Sequence, residues 1–397
     1  MKMTLSEMQR ALSLPRIPRA FPALYRQMEN TWQIHAEKIL SEDFISKTLS
    51  DCYALAPWRS EILRGAQAIG KNPALCLFIC LIEAWMRDGG DPAWPEFAAP
   101  QGEGIGYDLL YIYPAIPTMP DSVAYLRNRN VPEDVIAGTM QEYDRSIADG
   151  VYRDGRPTMT ARLLSWMCTV IENRLINIGR LNYDIPGHFL ENVRIFRKGN
   201  ETLVLADGAT VHPSGRILGS AGCDDTTDSY VATITETDTT VTGHPVIKDL
   251  IAKETVTLSK AKWTQFLCHE DLIPRIHIPR QGSFDAEAVQ ASIDRAREIF
   301  AACYPELPFK AMFCESWLLS EDLKAMLKPE SKILQFQSRF IKVPLKSEGT
   351  AAFDFAYPLP IGYRDYPNLP EDTSLQKAIK ERYLNGGYVH EGAGFFY

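Results

Sequence analysis

RIHIPRQGSFDAEAVQASIDRAREIFAACYPELPFKAMFCESWLL, residues 275–319, carries the pattern that decides the fold of the second part of this chain. Its middle predicts a helix over Asp285 to Cys303: Val289, Ile293, Ala296 and Phe300 recur at helical spacing, and Asp285 and Glu287 suit the positive end of the helix dipole. Short apolar runs on either side predict strands at Arg275 to Ile278 and Phe309 to Phe313. The order is therefore strand, helix, strand.

Further strands are expected upstream at Arg180 to Ile185, Val193 to Phe196, Glu201 to Leu205 and Tyr230 to Thr235, with Lys198-Gly199-Asn200 and Pro213-Ser214-Gly215 supplying turns between them. Downstream, short helices at Glu321 to Leu327 and Pro329 to Phe340 precede strands at Ile341 to Pro344 and Ala351 to Tyr357. A helix from Asp372-Thr373-Ser374 to Tyr383 is capped by a side-chain oxygen, and a last strand holds Tyr388, His390 and Tyr397.

The first 150 residues read differently. Leu24, Met28, Trp32 and Ile39 mark an apolar stripe, Pro132-Glu133-Asp134 opens a helix, and the apolar run Ala74 to Met86 is too short to span a bilayer and contains Glu83, so it reads as a buried helix. A Pro- and Gly-rich stretch from Gly89 to Gly106 is read as a surface loop, and its GxGxG (Gly102, Gly104, Gly106) follows no strand, as a nucleotide loop would require. The turn-prone VYRDGRP near Gly150 to Pro157 marks the change of character, followed by a helix over Met159 to Ile178. The fold class is thus α+β, a helical domain over 1–150 followed by a mixed-sheet domain over 151–397.

A length of 397 residues suits two cores, and 45% hydrophobic with 23% charged residues excludes a mainly disordered chain. The net charge of -8, without a block of like charges, argues against a nucleic-acid partner, whose affinity comes from clustered cations. Met1 to Ala20 lacks the apolar core of a secretory signal, so a cytoplasmic protein without a membrane anchor is expected. The eight cysteines form no CxxC pair and most read as buried thiols; Cys76 and Cys80, one helical turn apart, read as core side chains rather than metal ligands. No metal site is expected, and neither a Walker loop, HExxH nor GxSxG is present.

Four segments, His277-Ile278-Pro279 followed by Gly282, Cys314-Glu315-Ser316-Trp317 with Leu318 and Leu319, SKILQFQ (331–337) and DTSLQKA (372–378), resemble a family of bacterial N-acyltransferases that joins a helical N-terminal domain to a GNAT-like C-terminal domain. The resemblance covers about the last 240 residues best. It implies two neighbouring parallel strands that splay apart, here the Arg275 and Phe309 strands, so that the pantetheine arm of acyl-CoA or acetyl-CoA enters the gap. It also implies a pyrophosphate near Arg280, Gln281, Gly282 and Ser283, where helix N–H groups favour an anion. This loop carries a single glycine where the GNAT loop usually has two small residues, and Asp285 and Glu287 would repel a phosphate.

Transfer of an acyl group to a small-molecule amine needs a base for an ammonium proton and an acid for the departing thiolate. His277, at the end of its strand, is the candidate base, or a histidine whose ring nitrogens close the strand end. Glu315 follows an apolar strand, where a carboxylate gains proton affinity; the alternative is a surface residue. Cys314 is either a nucleophile ionised by a neighbour or a buried core thiol. Strand alternation puts Phe313 and Glu315 on one face and Cys314 and Ser316 on the other. The competing expectation is a catalytically silent GNAT-like scaffold that binds a small ligand or a protein partner.

Overall fold

The computed structural model describes residues 3–89, 100, 102–282, 284–307 and 309–397. The chain forms two compact units, Met1–Gly179 and Arg180–Tyr397. The helix Ala161–Ile171, assigned from sequence to the second part, falls in the first.

The first unit is built around the helix Pro73–Arg87, whose residues from Ala74 to Glu83 are all buried. Pro73 fits the first helical position and Asn72 caps it, its Oδ1 accepting from the N–H groups of Ala74 at 3.0 Å and Leu75 at 3.4 Å. The helices Leu5–Ala11, Phe21–Met28, Trp32–Ile39 and Arg59–Gly70 pack around it. Buried Glu83 is paired with His35 at 2.5 Å and Arg87 at 2.9 Å, which offsets its desolvation. No single helix among the described residues is long and apolar enough to cross a membrane. Most of the loop expected from Gly89 to Gly106 lies outside the described residues. The helix expected over Met159 to Ile178 ends at Ile171, where Asn173 takes a positive φ of 60°, and Leu175–Ile178 is a strand.

In the second unit the strands Leu181–Asp184, Arg275–His277, Met312–Ser316, Gly392–Phe396 and Ile341–Val343 lie side by side in that order. All neighbours are antiparallel except the Arg275 and Met312 strands, which are parallel and joined through the helix Ala286–Cys303. That helix covers one face: Tyr183 meets Ser292 through a 3.0 Å hydrogen bond and sets its ring edge-on to Phe300 at 5.5 Å. The other face, with Phe313, Val343, Ala393 and Phe395, packs on Phe189, Val193, Ile195, Val204 and Leu267. Most of these come from a second sheet inserted between the Leu181 and Arg275 strands, ordered Val256–Ser259, Thr240–Ile247, Glu201–Ala206, Val193–Lys198 and Thr264–Leu267.

Three further expectations about individual elements are corrected in this unit. Ala351–Ala356 is a helix rather than a strand, because Glu391 accepts from the N–H groups of Thr350 at 3.1 Å and Ala351 at 2.8 Å at its start. The strand expected over Phe309 to Phe313 runs instead over Met312–Ser316, since Phe309 leaves the sheet to set its ring against Phe300 at 5.4 Å. Tyr230 to Thr235 is not continuous; only the two-residue strands Tyr230–Val231 and Thr235–Glu236 form.

Candidate functional site

The parallel ladder between the Arg275 and Met312 strands is short. Arg275 lies opposite Phe313 and Ile276 opposite Cys314, and the Phe313 N–H donates to the Pro274 carbonyl at 2.9 Å. Beyond Cys314 the Met312 strand continues through Glu315 and Ser316, in register with Ala393 and Gly392 on its far side, while His277 is in register only with Asn182 on its own far side. The two strands therefore part at His277 and Glu315. Pro279, which has no N–H, and Gly282, at φ +92°, carry the chain out of the sheet.

Arg280 and Gly282 are exposed and Gln281 is partly so; Ser283 lies outside the described residues. The half-buried Arg180 guanidinium stacks over the Phe284 ring at 5.1 Å, and a Cβ placed on Gly282 would lie 3.9 Å from the Arg180 side chain. Burial alone lowers the proton affinity of Arg180. The loop leads into the helix Ala286–Cys303. Asp285 stands at the N-cap but makes no side-chain cap bond; its carboxylate turns to Lys332. Arg339 reaches over the same helix start, donating to Gln290 and, at 3.5 Å, to the Ala286 carbonyl. Two cations thus stand at the helix start beside Asp285 and Glu287: Lys332, paired with Asp285, and Arg339, at the Ala286 carbonyl.

A family model described as the GNAT-like C-terminal domain matches residues 175–396, more than half of the chain. The chain belongs to the GNAT-like C-terminal domain family. No curated protein matches it. Solved structures do: an acyltransferase in complex with decanoyl-CoA and teicoplanin has a TM-score of 0.60 at 16% identity. An acyltransferase mutant in complex with octanoyl-CoA scores 0.62 at 16% identity. An acyltransferase in complex with CoA and 10C-teicoplanin scores 0.61 at 16% identity. Each comparison covers 99% of both chains, so the fold is shared over the whole length.

In this GNAT-like domain the parallel register decides which side chains meet. Arg275 sits over the Phe313 ring at 5.7 Å and donates to the Glu315 carboxylate at 3.1 Å, so Arg275, Phe313 and Glu315 share the face opposite the long helix. Alternation adds His277 to that face. Cys314 and Ser316 point the other way, as strand alternation required. Cys314 is completely buried, and burial pushes its thiol up to about 12, so at neutral pH it is a thiol and not a thiolate. The core reading of Cys314 accounts for this geometry without a nucleophilic role.

Sequence reasoning missed Glu191. It follows Phe189, whose ring stands edge-on to Phe313 at 5.5 Å, and Gly187, where a Cβ would come within 2.9 Å of the Arg275 side chain. The Gly187 to Glu191 loop therefore lies over the same face as Arg275 and Glu315. Burial, reinforced by repulsion from Glu315 and opposed by Arg275, raises the Glu191 carboxyl to about 7. No motif marks this residue, because its environment is made by strands far along the chain.

His390, placed from sequence in the last strand, precedes that strand and is part of a buried polar hub. Its Nδ1 lies 2.9 Å from Asp322 and its Nε2 3.0 Å from the Ala221 carbonyl, while Arg382 donates to Asp322 at 2.6 Å. Burial pushes the Asp322 carboxyl up, but hydrogen bonds from His390 and the charge of Arg382 outweigh it and hold the group below its ordinary value. A cavity of about 420 Å³ lined by Phe300, Tyr304, Phe309 and Met312 lies at the opposite end of the Met312 strand from the parting. Trp317 packs against the apolar cluster of Leu323, Phe353 and Tyr357.

Proposed function

We propose that this chain is an acyl-CoA-dependent N-acyltransferase acting on a small-molecule amine. The observation that carries the reading is the parting of the two parallel strands after two residue pairs, next to a loop that enters a helix start beside Lys332 and Arg339. The pantetheine arm lies along the main chain of Glu315 and Ser316, whose inner edge has no strand partner beyond Cys314 among the described residues. The pyrophosphate takes the loop Arg280, Gln281, Gly282 and Ser283 and the first turn of the helix, where N–H groups and the dipole favour an anion. The acyl-CoA complexes of structurally similar acyltransferases support acyl-CoA as the co-substrate, and the teicoplanin held by two of them supports an acceptor that is a small molecule rather than a protein.

In the reaction the amine nitrogen attacks the thioester carbonyl, the C–N bond forms, the C–S bond breaks and CoA leaves as the thiolate. His277 and Glu315 flank the parting, and this reading assigns them to the acceptor and the departing sulfur. Melting of the protein with acetyl-, octanoyl- and decanoyl-CoA tests the reading. A rise that grows with ligand concentration is expected for at least one of them. No rise with any at millimolar concentration overturns it and leaves the silent GNAT-like scaffold as the better description.

A further inference from the structure

Resting on the acyltransfer reading, we propose that Glu191 is the group that takes the proton from the acceptor amine. Three observations converge on it. The loop that carries Glu191 is laid across the face bearing Arg275, Phe313 and Glu315: the Ile273 N–H donates to the Gly187 carbonyl at 2.9 Å, and the Phe189 ring meets Phe313. That face is the one onto which His277 and Glu315 project where the strands part. The Glu191 carboxylate makes no hydrogen bond or ion pair among the described residues, although it is half-buried and within electrostatic reach of both Arg275 and Glu315.

Each neighbour has a distinct consequence. Glu315 is committed to Arg275 at 3.1 Å, so its oxygen is occupied by a cation already in place. Glu191 has no such partner. The charged groups acting on it are Glu315, which strengthens its hold on a proton, and Arg275, which weakens it. A carboxylate poised near neutrality is matched to general-base work at physiological pH. An ammonium arriving beside Glu191 and Glu315 supplies the positive charge that this pair of carboxylates, with the single cation Arg275 acting on both, leaves uncompensated.

The proton balance is simple. The Glu191 carboxylate accepts one proton from the acceptor ammonium, and the neutral amine attacks the thioester carbon. The second N–H proton, released as the amide forms, is taken up by the departing CoA thiolate to give CoA thiol. Glu191 then returns its proton to water. The net reaction is ammonium plus thioester giving amide, thiol and one free proton.

The test uses the full chain, decanoyl-CoA and a panel of primary amines (benzylamine, ethanolamine, glycinamide), with thiol release read against pH from 5 to 9. For wild type, kcat/KM is expected to rise through a limb near pH 7. In E191Q that limb is expected to vanish, with kcat/KM falling on the order of 100-fold at pH 7.5 while decanoyl-CoA binding holds. E191D, which keeps a carboxylate one carbon shorter, is expected to retain the limb at reduced rate. An E191Q profile that parallels wild type overturns the assignment, as does a wild type that binds decanoyl-CoA yet acylates none of these amines. Failure to bind any acyl-CoA instead refutes the acyltransfer reading, so the two failures are distinguishable.

Discussion

Glu191 makes a prediction that needs no substrate. Its carboxyl sits at about 7 in the folded protein against an ordinary 4.5, so folded chains bind this proton more tightly than unfolded ones. Full stabilisation from the protonated group is present below about 4.5 and is lost as the pH rises through about 7. The difference corresponds to about 3 kcal/mol at full burial, and solvent screening of a half-buried group reduces this to roughly 2 kcal/mol. E191Q keeps the shape of the protonated acid and removes the titration. At pH 5 the variant and wild type are therefore expected to have similar stabilities. At pH 8.5 the variant is expected to be the more stable by roughly 2 kcal/mol, a rise of roughly 4–8 °C in melting temperature for a unit of this size. Calorimetry of both proteins across this range measures the difference, in which every other titrating group cancels. Curves that stay parallel from pH 5 to 8.5, or a variant that loses stability at high pH, would refute the reasoning that burial and Glu315 raise this carboxyl.

Three further outcomes follow from the geometry. Cys314, completely buried with its thiol at about 12, is expected to resist iodoacetamide in the native protein at pH 7.5 and to react once guanidinium unfolds the chain, read by peptide mass spectrometry; native labelling at the rate of a free thiol would contradict its burial. Gly392→Ala would place a Cβ 2.3 Å from the Leu319 carbonyl oxygen, a backbone atom that cannot swing aside, and is expected to cost at least about 2 kcal/mol in denaturant unfolding; a near-neutral result would mean that the Ser316 to Ser320 segment is free to move. Asp322→Ala removes the partner of His390 and Arg382 in a partly buried site and is expected to destabilise by about 3 kcal/mol at pH 7. Because the Asp322 carboxyl is held below its ordinary value, that loss should shrink as acid protonates wild type, and a pH-independent loss would refute the charge-assisted account.

How much of this could be read from the chain depends on how local the cause is. The helix Ala286–Cys303 was legible because Val289, Ile293, Ala296 and Phe300 each report the same buried stripe within one continuous segment. Ala351–Ala356 was misread because Phe353, Phe355 and Tyr357 alternate at the strand period, whereas its helix start is tied down by Glu391 from a distant segment. Thr240–Ile247 was missed for the opposite reason: it is a long strand of the inserted sheet, but Gly243-His244-Pro245 interrupts the strand signal of the Thr, Val and Ile residues on either side.

The candidate site divides along the same line. His277 and Glu315 were legible as polar residues at the tips of apolar strands, and alternation alone separated Glu315 from Cys314. What no local pattern carries is the register. Arg275 opposite Phe313 puts the guanidinium beside Glu315, and only that pairing, with Phe189 stacked edge-on to Phe313, brings Glu191 under the influence of both charges. A shift of the Met312 strand by one residue would turn Glu315 to the helix side and Cys314 to the Glu191 side. The chemistry proposed for this face therefore depends on two residue pairs of parallel sheet, Arg275 with Phe313 and Ile276 with Cys314, and on the chain parting immediately after them.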